Sequence, residues 1–194
     1  MEQIRGVDWT SDLTNSTEKQ FFKSLENTNK SLNLIGYSMG GRYLLRNLTH
    51  LPDCVQSIIL LAPRIYLPSK NRMKQIEFER ITLENLKHLD QDSFLNYWNR
   101  LPIFEHDPPK PIGTQWRPDY WSRVFELMRP SQQMDHREQI AKNSKVHLVC
   151  GSLDTKYCEH YDQLETLNPI RKLPDLGHRL NKRLVVEKIC ENLT

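Results

Sequence analysis

A chain of 194 residues, with 27 Lys and Arg against 24 Asp and Glu and a formal net charge of +3, is long enough for one domain with an inserted subdomain. Charged residues make up 26% and mean hydropathy is −0.66, so the chain is polar without being disordered. The weak, scattered positive charge gives no argument for nucleic acid and suits a small anionic substrate equally well; no apolar run reaches the roughly eighteen residues of a membrane span, and no hydrophobic leader is visible.

Along the chain, Asn15 and Glu18 offer a capping-box start to an amphipathic helix over 17–25 that feeds a short apolar strand, Leu32–Ile35. A helix-compatible run from Arg42 to His50 and a second strand, Val55–Leu61, follow. From residue 64 to about 137 the sequence is charged and punctuated by proline. Helices are predicted there over Met73–Leu89, Phe94–Trp98 and Trp121–Met128, with a break at Pro108-Pro109-Lys110-Pro111. Strands at Val146–Cys150 and Ile170–Leu173 and a helix over Leu184–Leu193 complete the chain. This order reads as an α/β fold. Residues 1–63 and 138–194 are its core and residues 64–137 a helical cap, placed over the carboxyl ends of the strands where ligands bind in such sheets.

The junction of the first strand and helix carries the strongest signal. Gly36-Tyr37-Ser38-Met39-Gly40 is a Gly-x-Ser-x-Gly motif in strand–turn–helix context, the setting of a nucleophile elbow. A serine on so sharp a turn crowds its neighbours, and Gly36 and Gly40 leave room where a Cβ would clash. The Met39 N–H, at a helix N-terminus, is a ready donor to a developing oxyanion.

An elbow serine needs a base, and the base an orienting carboxylate, in the chain order Ser, Asp or Glu, His. Gly151-Ser152-Leu153-Asp154 follows the third strand directly, and Asp175-Leu176-Gly177-His178 follows the fourth. Ser38, Asp154 and His178 are therefore the expected catalytic residues.

These features resemble the α/β-hydrolases. Gly36–Arg42, then Phe94…Trp98…Pro102-Ile103-Phe104, then Cys150–Tyr157 are similar to one branch of them. That branch is the 2-succinyl-6-hydroxy-2,4-cyclohexadiene-1-carboxylate synthases of menaquinone and phylloquinone biosynthesis. The resemblance runs from about Leu32 to the C-terminus and is weakest between Pro108 and Ile140. It implies a lyase in which Ser38, activated by His178, takes a proton from a cyclohexenyl tricarboxylate, with elimination of pyruvate. Asp154 would hold the tautomer of the imidazole. The resemblance also implies Arg42 as a ligand to substrate carboxylate, Tyr37 and Trp98 as site aromatics, and Arg117 as a further carboxylate ligand. A guanidinium fork matches a carboxylate with two parallel N–H donors.

Several positions depart from the pattern. Arg72 keeps one cap arginine, but Gln75 stands where the resemblance expects a second. Asn99 replaces a tyrosine, and Arg179 replaces an asparagine after the histidine. Arg64, Arg100 or Arg129 would have to supply the missing carboxylate contacts. The resemblance also leads one to expect strands before the elbow, and a His-Gly loop with a second oxyanion donor; no counterpart is visible here. The expected fold is thus an α/β-hydrolase with a helical cap, lacking the first strands of the sheet. The elbow strand would then be an exposed edge, to be covered by a second copy or a partner.

No metal or organic cofactor is implied, because activation of serine by histidine suffices. Cys54, Cys150, Cys158 and Cys190 form no Cys-x-x-Cys and read as reduced packing residues. His106-Asp107 and Asp135-His136 read as solvated loop residues rather than ligand pairs. Asn15, Asn47 and Asn192 match the glycosylation pattern without a secretory context. The expected location is cytoplasmic, or a plastid in a photosynthetic eukaryote. Two other functions share the same residues: a serine hydrolase of a carboxylic ester or thioester, and an inactive truncated remnant.

Overall fold

The computed structural model describes Leu25, residues 31–109 and residues 116–180. The predicted helix over 17–25 (Leu25 apart), its capping box at Asn15 and Glu18, Lys110-Pro111, the helix Leu184–Leu193, Cys190 and Asn192 lie outside the described residues.

Within them, β1 (Leu32–Tyr37), β2 (Val55–Leu61), β3 (Val146–Gly151) and β4 (Arg171–Leu173) form one parallel sheet in the order β1-β2-β3-β4. The registers pair Ile35 with Ile59, Leu60 with Leu148 and Val149 with Arg171. β2 and β3 are nearly continuous apolar runs because helices and loops cover both their faces. Successive residues of β2 enter opposite cores. Ile58 and Leu60 pack with Leu44, Leu45, Leu148 and Tyr161, while Ile59 and Leu61 pack with Val149, Leu173 and Leu180. Each such buried aliphatic side chain contributes about 1.5–3 kcal/mol. β1 pairs with β2 alone among the described residues and exposes Asn33 and Ile35.

The helix that follows β1, α1 (Met39–Arg46), starts three residues earlier than its periodicity suggests, because the chain reverses at Ser38 and turns directly into it. It ends where the Asn47 N–H reaches back to the Leu44 carbonyl and a 3₁₀ turn, Leu48–His50, takes over. Between β2 and β3 lie α2 (Arg72–His88), α3 (Gln91–Asn99), α4 (Pro118–Leu127) and the short α5 (Arg137–Ala141). α2 buries Glu79, Thr82, Leu83 and Leu86, the one-face spacing of a 3.6-residue period, and packs against α4. α3 begins at Asp90, whose carboxylate accepts the Ser93 N–H at 2.9 Å, and α4 begins on Pro118, a residue suited to a first turn. α6 (Thr155–Tyr161) follows β3. The five residues of α5 and seven of α6 are too few for a periodic signal, and neither helix is predicted. Among the described residues no helix is long and apolar enough to cross a membrane.

Two solvated-loop expectations need correction. His136 is only 2% exposed, with Nδ1 hydrogen-bonded to Gln139 at 2.7 Å. Asp107 folds back onto the loop carrying His178, where its Oδ1 accepts the Arg179 N–H at 2.9 Å. Cys54, Cys150 and Cys158 are free thiols. The Sγ atoms of Cys150 and Cys158 lie 3.5 Å apart in the core, where burial pushes the Cys150 thiol well up.

Candidate active site

β1, β3 and β4 run parallel, so the loops leaving their carboxyl ends meet on one side of the sheet. Ser38 leaves β1 with φ 47° and ψ −107°, a conformation that non-glycine residues rarely hold. The turn closes because a glycine meets a glycine: a Cβ on Gly36 would come within 2.7 Å of the Gly41 Cα and 2.9 Å of the Gly40 carbonyl oxygen. Gly41 is crowded in turn by Pro63, at 2.8 Å from a built Cβ, so it shares the steric role expected of Gly36 and Gly40.

Three side chains converge there. The Ser38 hydroxyl donates to Nε2 of His178 at 3.2 Å, and Nδ1–H of His178 donates to Oδ2 of Asp154 at 2.7 Å. His178 is 2% exposed and Asp154 5%. The carboxylate at Nδ1 holds the proton on that nitrogen and leaves Nε2 free to accept from the hydroxyl. Tyr37, Phe104 and Tyr157 surround the imidazole, with ring centroids at 5.7, 5.8 and 4.9 Å. Their apolar faces keep water from the relay and so strengthen its electrostatics. Burial, with help from Asp107, pushes the Tyr37 phenol far above its ordinary range, so it serves as a neutral group.

The loop carrying the histidine is braced from two directions. Beneath it, Gly151 lies so close that a Cβ would come within 2.1 Å of the Leu176 carbonyl oxygen. From above, the Arg179 guanidinium donates to the Pro108 carbonyl at 2.8 Å and to the Asn99 side chain at 2.6 Å, and stacks 3.9 Å over the Phe104 ring.

Arg42 sits one turn into α1, its backbone N–H bonded to the Ser38 carbonyl at 3.1 Å. Its guanidinium donates to the Met128 carbonyl. No carboxylate lies within ion-pair distance of it among the described residues. Burial first, and then the positive charge of Arg64, draw its pKa down to about 10.

The same fold occurs in solved structures. The chain superposes on MenH from S. aureus with a TM-score of 0.76 at 16% identity, covering 91% of this chain and 73% of that one. It superposes on a thermophilic esterase from Thermogutta terrifontis at 0.60 and 16% identity, covering 84% of this chain and 65% of that chain. It matches a structure described as a lipase from Acinetobacter baumannii at 0.59 and 18% identity, over 92% and 66%. The chain has the α/β-hydrolase fold. In sequence, this α/β-hydrolase-fold chain is 24% identical over 193 residues to a protein of Bacillus subtilis (strain 168). That protein is provisionally named 2-succinyl-6-hydroxy-2,4-cyclohexadiene-1-carboxylate synthase. The match covers 83% of this chain and 65% of the relative, so the chain spans about two thirds of the relative's length. No family model matches.

The fold brings the expected residues together unequally. Ser38, Asp154, His178 and Tyr37 meet directly, and Met39 opens α1 with one of the N–H groups that a helix start leaves free. Trp98 is one ring removed: it packs against Phe94 and Phe104, both at 5.9 Å, and Phe104 alone of these borders the imidazole. Arg117 stands apart, exposed, with its guanidinium 5.1 Å over the Tyr120 ring. Arg129 pairs with Glu126 at 3.6 Å. Sequence reasoning missed Asp107 and the ring of Tyr157 as neighbours of the histidine. It also missed buried Glu79, a lone carboxylate on the apolar stripe of α2 whose position on that stripe was the available signal.

Proposed function

We propose that the site is a base relay acting on a small polycarboxylate, and that its reaction is elimination of pyruvate from a succinyl-cyclohexene polycarboxylate. The observation that carries this reading is Arg42: a guanidinium held only by a neutral carbonyl among the described residues, one helical turn from Ser38. A half-buried cation without a counter-ion calls for an anionic ligand. The likeness to MenH and to the Bacillus subtilis relative supports the same reading.

In the proposed step, the Ser38 proton passes to Nε2 of His178 as the serine oxygen takes a proton from a ring carbon. The electron pair left behind forms a ring double bond and breaks the C–O bond to the pyruvyl group. Pyruvate leaves as its enolate and is protonated, and His178 is restored to the neutral form. Asp154 stabilises the transient imidazolium, and Arg42 holds a substrate carboxylate throughout.

A second reading has its own support. The Ser38 oxygen can equally attack an ester or thioester carbonyl, with the Met39 N–H facing the oxyanion, and the likeness to an esterase and a lipase favours that chemistry. One assay separates the readings: incubation with the tricarboxylate, pyruvate being read by coupled NADH oxidation, beside a p-nitrophenyl ester. Pyruvate release lost in Ser38→Ala is the expected result. An ester-driven acyl-enzyme burst without pyruvate release would replace the lyase with the hydrolase, and silence in both assays would leave the inactive remnant. Arg42→Ala is expected to raise KM for the tricarboxylate roughly tenfold to a hundredfold.

A further inference from the structure

We infer that Arg64, oriented by Gln75 on the segment whose Pro63 packs against Gly41, the residue before Arg42, forms a second carboxylate subsite, so that the site takes a dicarboxylate with one arginine for each anionic end. This rests on the proposed reading of the site as one for a small anionic substrate, and it names the residue that separates a dianion from a monoanion.

The backbone around Arg64 is pinned on every side. Ala62, at φ 47°, bonds its N–H to the Val149 carbonyl at 2.8 Å. Pro63 lies against Gly41, the residue before Arg42, and its carbonyl accepts the Tyr161 hydroxyl at 2.6 Å. The Ile65 N–H donates to Nε2 of His160 at 3.3 Å, and the Arg64 carbonyl accepts from Gln133. A segment held this firmly presents its side chain from a fixed origin.

The side chain is oriented as well. Nη1 of Arg64 donates to Oε1 of Gln75 at 2.9 Å, and Nε2 of Gln75 donates to Oε1 of Glu79 at 3.0 Å. Glu79 is 2% exposed, and its oxygens also accept the Ser131 N–H at 2.8 Å and the Ser131 hydroxyl. A buried carboxylate only accepts, so the Gln75 amide must turn its nitrogen to Glu79 and its oxygen to Arg64. Gln75 therefore aims a guanidinium without neutralising it. Arg64 is half-buried, forms no ion pair among the described residues, and keeps most of its five N–H donors for a ligand.

The surrounding charge points the same way. After burial, Arg64 is the leading charge that depresses Arg42, Lys156 and His160. Glu79, Asp154 and Asp135 are the carboxylates acting on these groups. Asp154 is committed to His178, Asp135 to Arg137 and Glu79 to neutral donors. A dianion bridging Arg42 and Arg64 would relieve that excess of cation.

The test uses succinate and butyrate, which match in chain length and differ by one carboxylate, titrated calorimetrically into the full chain and its Ser38→Ala variant so that turnover plays no part. Succinate is expected to bind at least tenfold tighter than butyrate. Arg64→Gln should weaken succinate roughly tenfold to a hundredfold and leave butyrate unchanged, and Arg64→Lys should recover part of the loss. Gln75→Ala should give an intermediate loss, by freeing the guanidinium to move. The thermal midpoint without ligand shows that each variant is folded. Equal binding of the two acids by the native chain, or unchanged succinate binding in Arg64→Gln, overturns the inference. Failure of pyruvate release with the succinate preference intact would reject the lyase reading and leave the subsite standing.

Discussion

Nη2 of Arg179 donates to Oδ1 of Asn99 at 2.6 Å, tying the loop of His178 to the end of α3. Both residues depart from the pattern the sequence resembles, and they depart toward each other. The bond fixes the residue next to the imidazole, so it bears on the position of the proposed base as well as on stability. In a double-mutant cycle, Asn99→Ala and Arg179→Ala are expected to couple by about 0.5–1.5 kcal/mol. Arg179→Ala alone should lower kcat about tenfold or more, since small displacements of a base are costly. Denaturant unfolding and turnover of the four proteins measure both; additive losses would show that the contact carries nothing.

Gly151 sits beneath the same loop. A Cβ there would lie 2.1 Å from the Leu176 carbonyl oxygen and 2.3 Å from that of Gly177. The obstruction is backbone, which cannot swing aside as a flexible side chain would. Gly151→Ala is expected to cost about 3 kcal/mol in urea unfolding and to lower turnover by displacing His178.

Ser38 holds its turn at φ 47°, a strain of about 1–3 kcal/mol. Glycine adopts that region freely but loses more chain entropy on folding. Ser38→Gly should therefore raise the unfolding free energy by about 1 kcal/mol while abolishing turnover. Ser38→Ala should abolish turnover and keep the strain. Thermal unfolding of the two variants side by side separates strain from the lost hydrogen bond to His178.

His160 gives the stability a pH dependence. Burial, then the positive charges of Arg64, Arg137 and Lys156, against a small opposing effect of Asp135, pull its pKa down to about 4. The rings of Tyr66 and Tyr157 pack against it. The unfolded chain, with an ordinary imidazole value of about 6.5, binds the proton more readily than the folded one. The contribution is thus fully present above about pH 6.5 and is lost as pH falls toward 4. Between pH 7 and 5 it amounts to about 1–2 kcal/mol. His160→Gln should flatten that part of the stability curve, read by urea unfolding across the range.

Much of this protein is legible in one dimension. The apolar runs of β2 and β3, the turn chemistry of Gly36 to Gly40 and the order Ser38, Asp154, His178 are local signals, because strand burial, backbone strain and the place of a loop after its strand are set by neighbours along the chain. The departures at Gln75, Asn99 and Arg179 were also visible there, but only as losses. Folding decides what they do: Gln75 aims Arg64, and Asn99 holds Arg179. Their partners lie 11 and 80 positions away, and a hydrogen bond across such a distance leaves no periodicity to read. The burial of His136 and the return of Asp107 onto the histidine loop depend in the same way on how the segments between β2 and β3 pack, a matter of three-dimensional fit that no local pattern encodes.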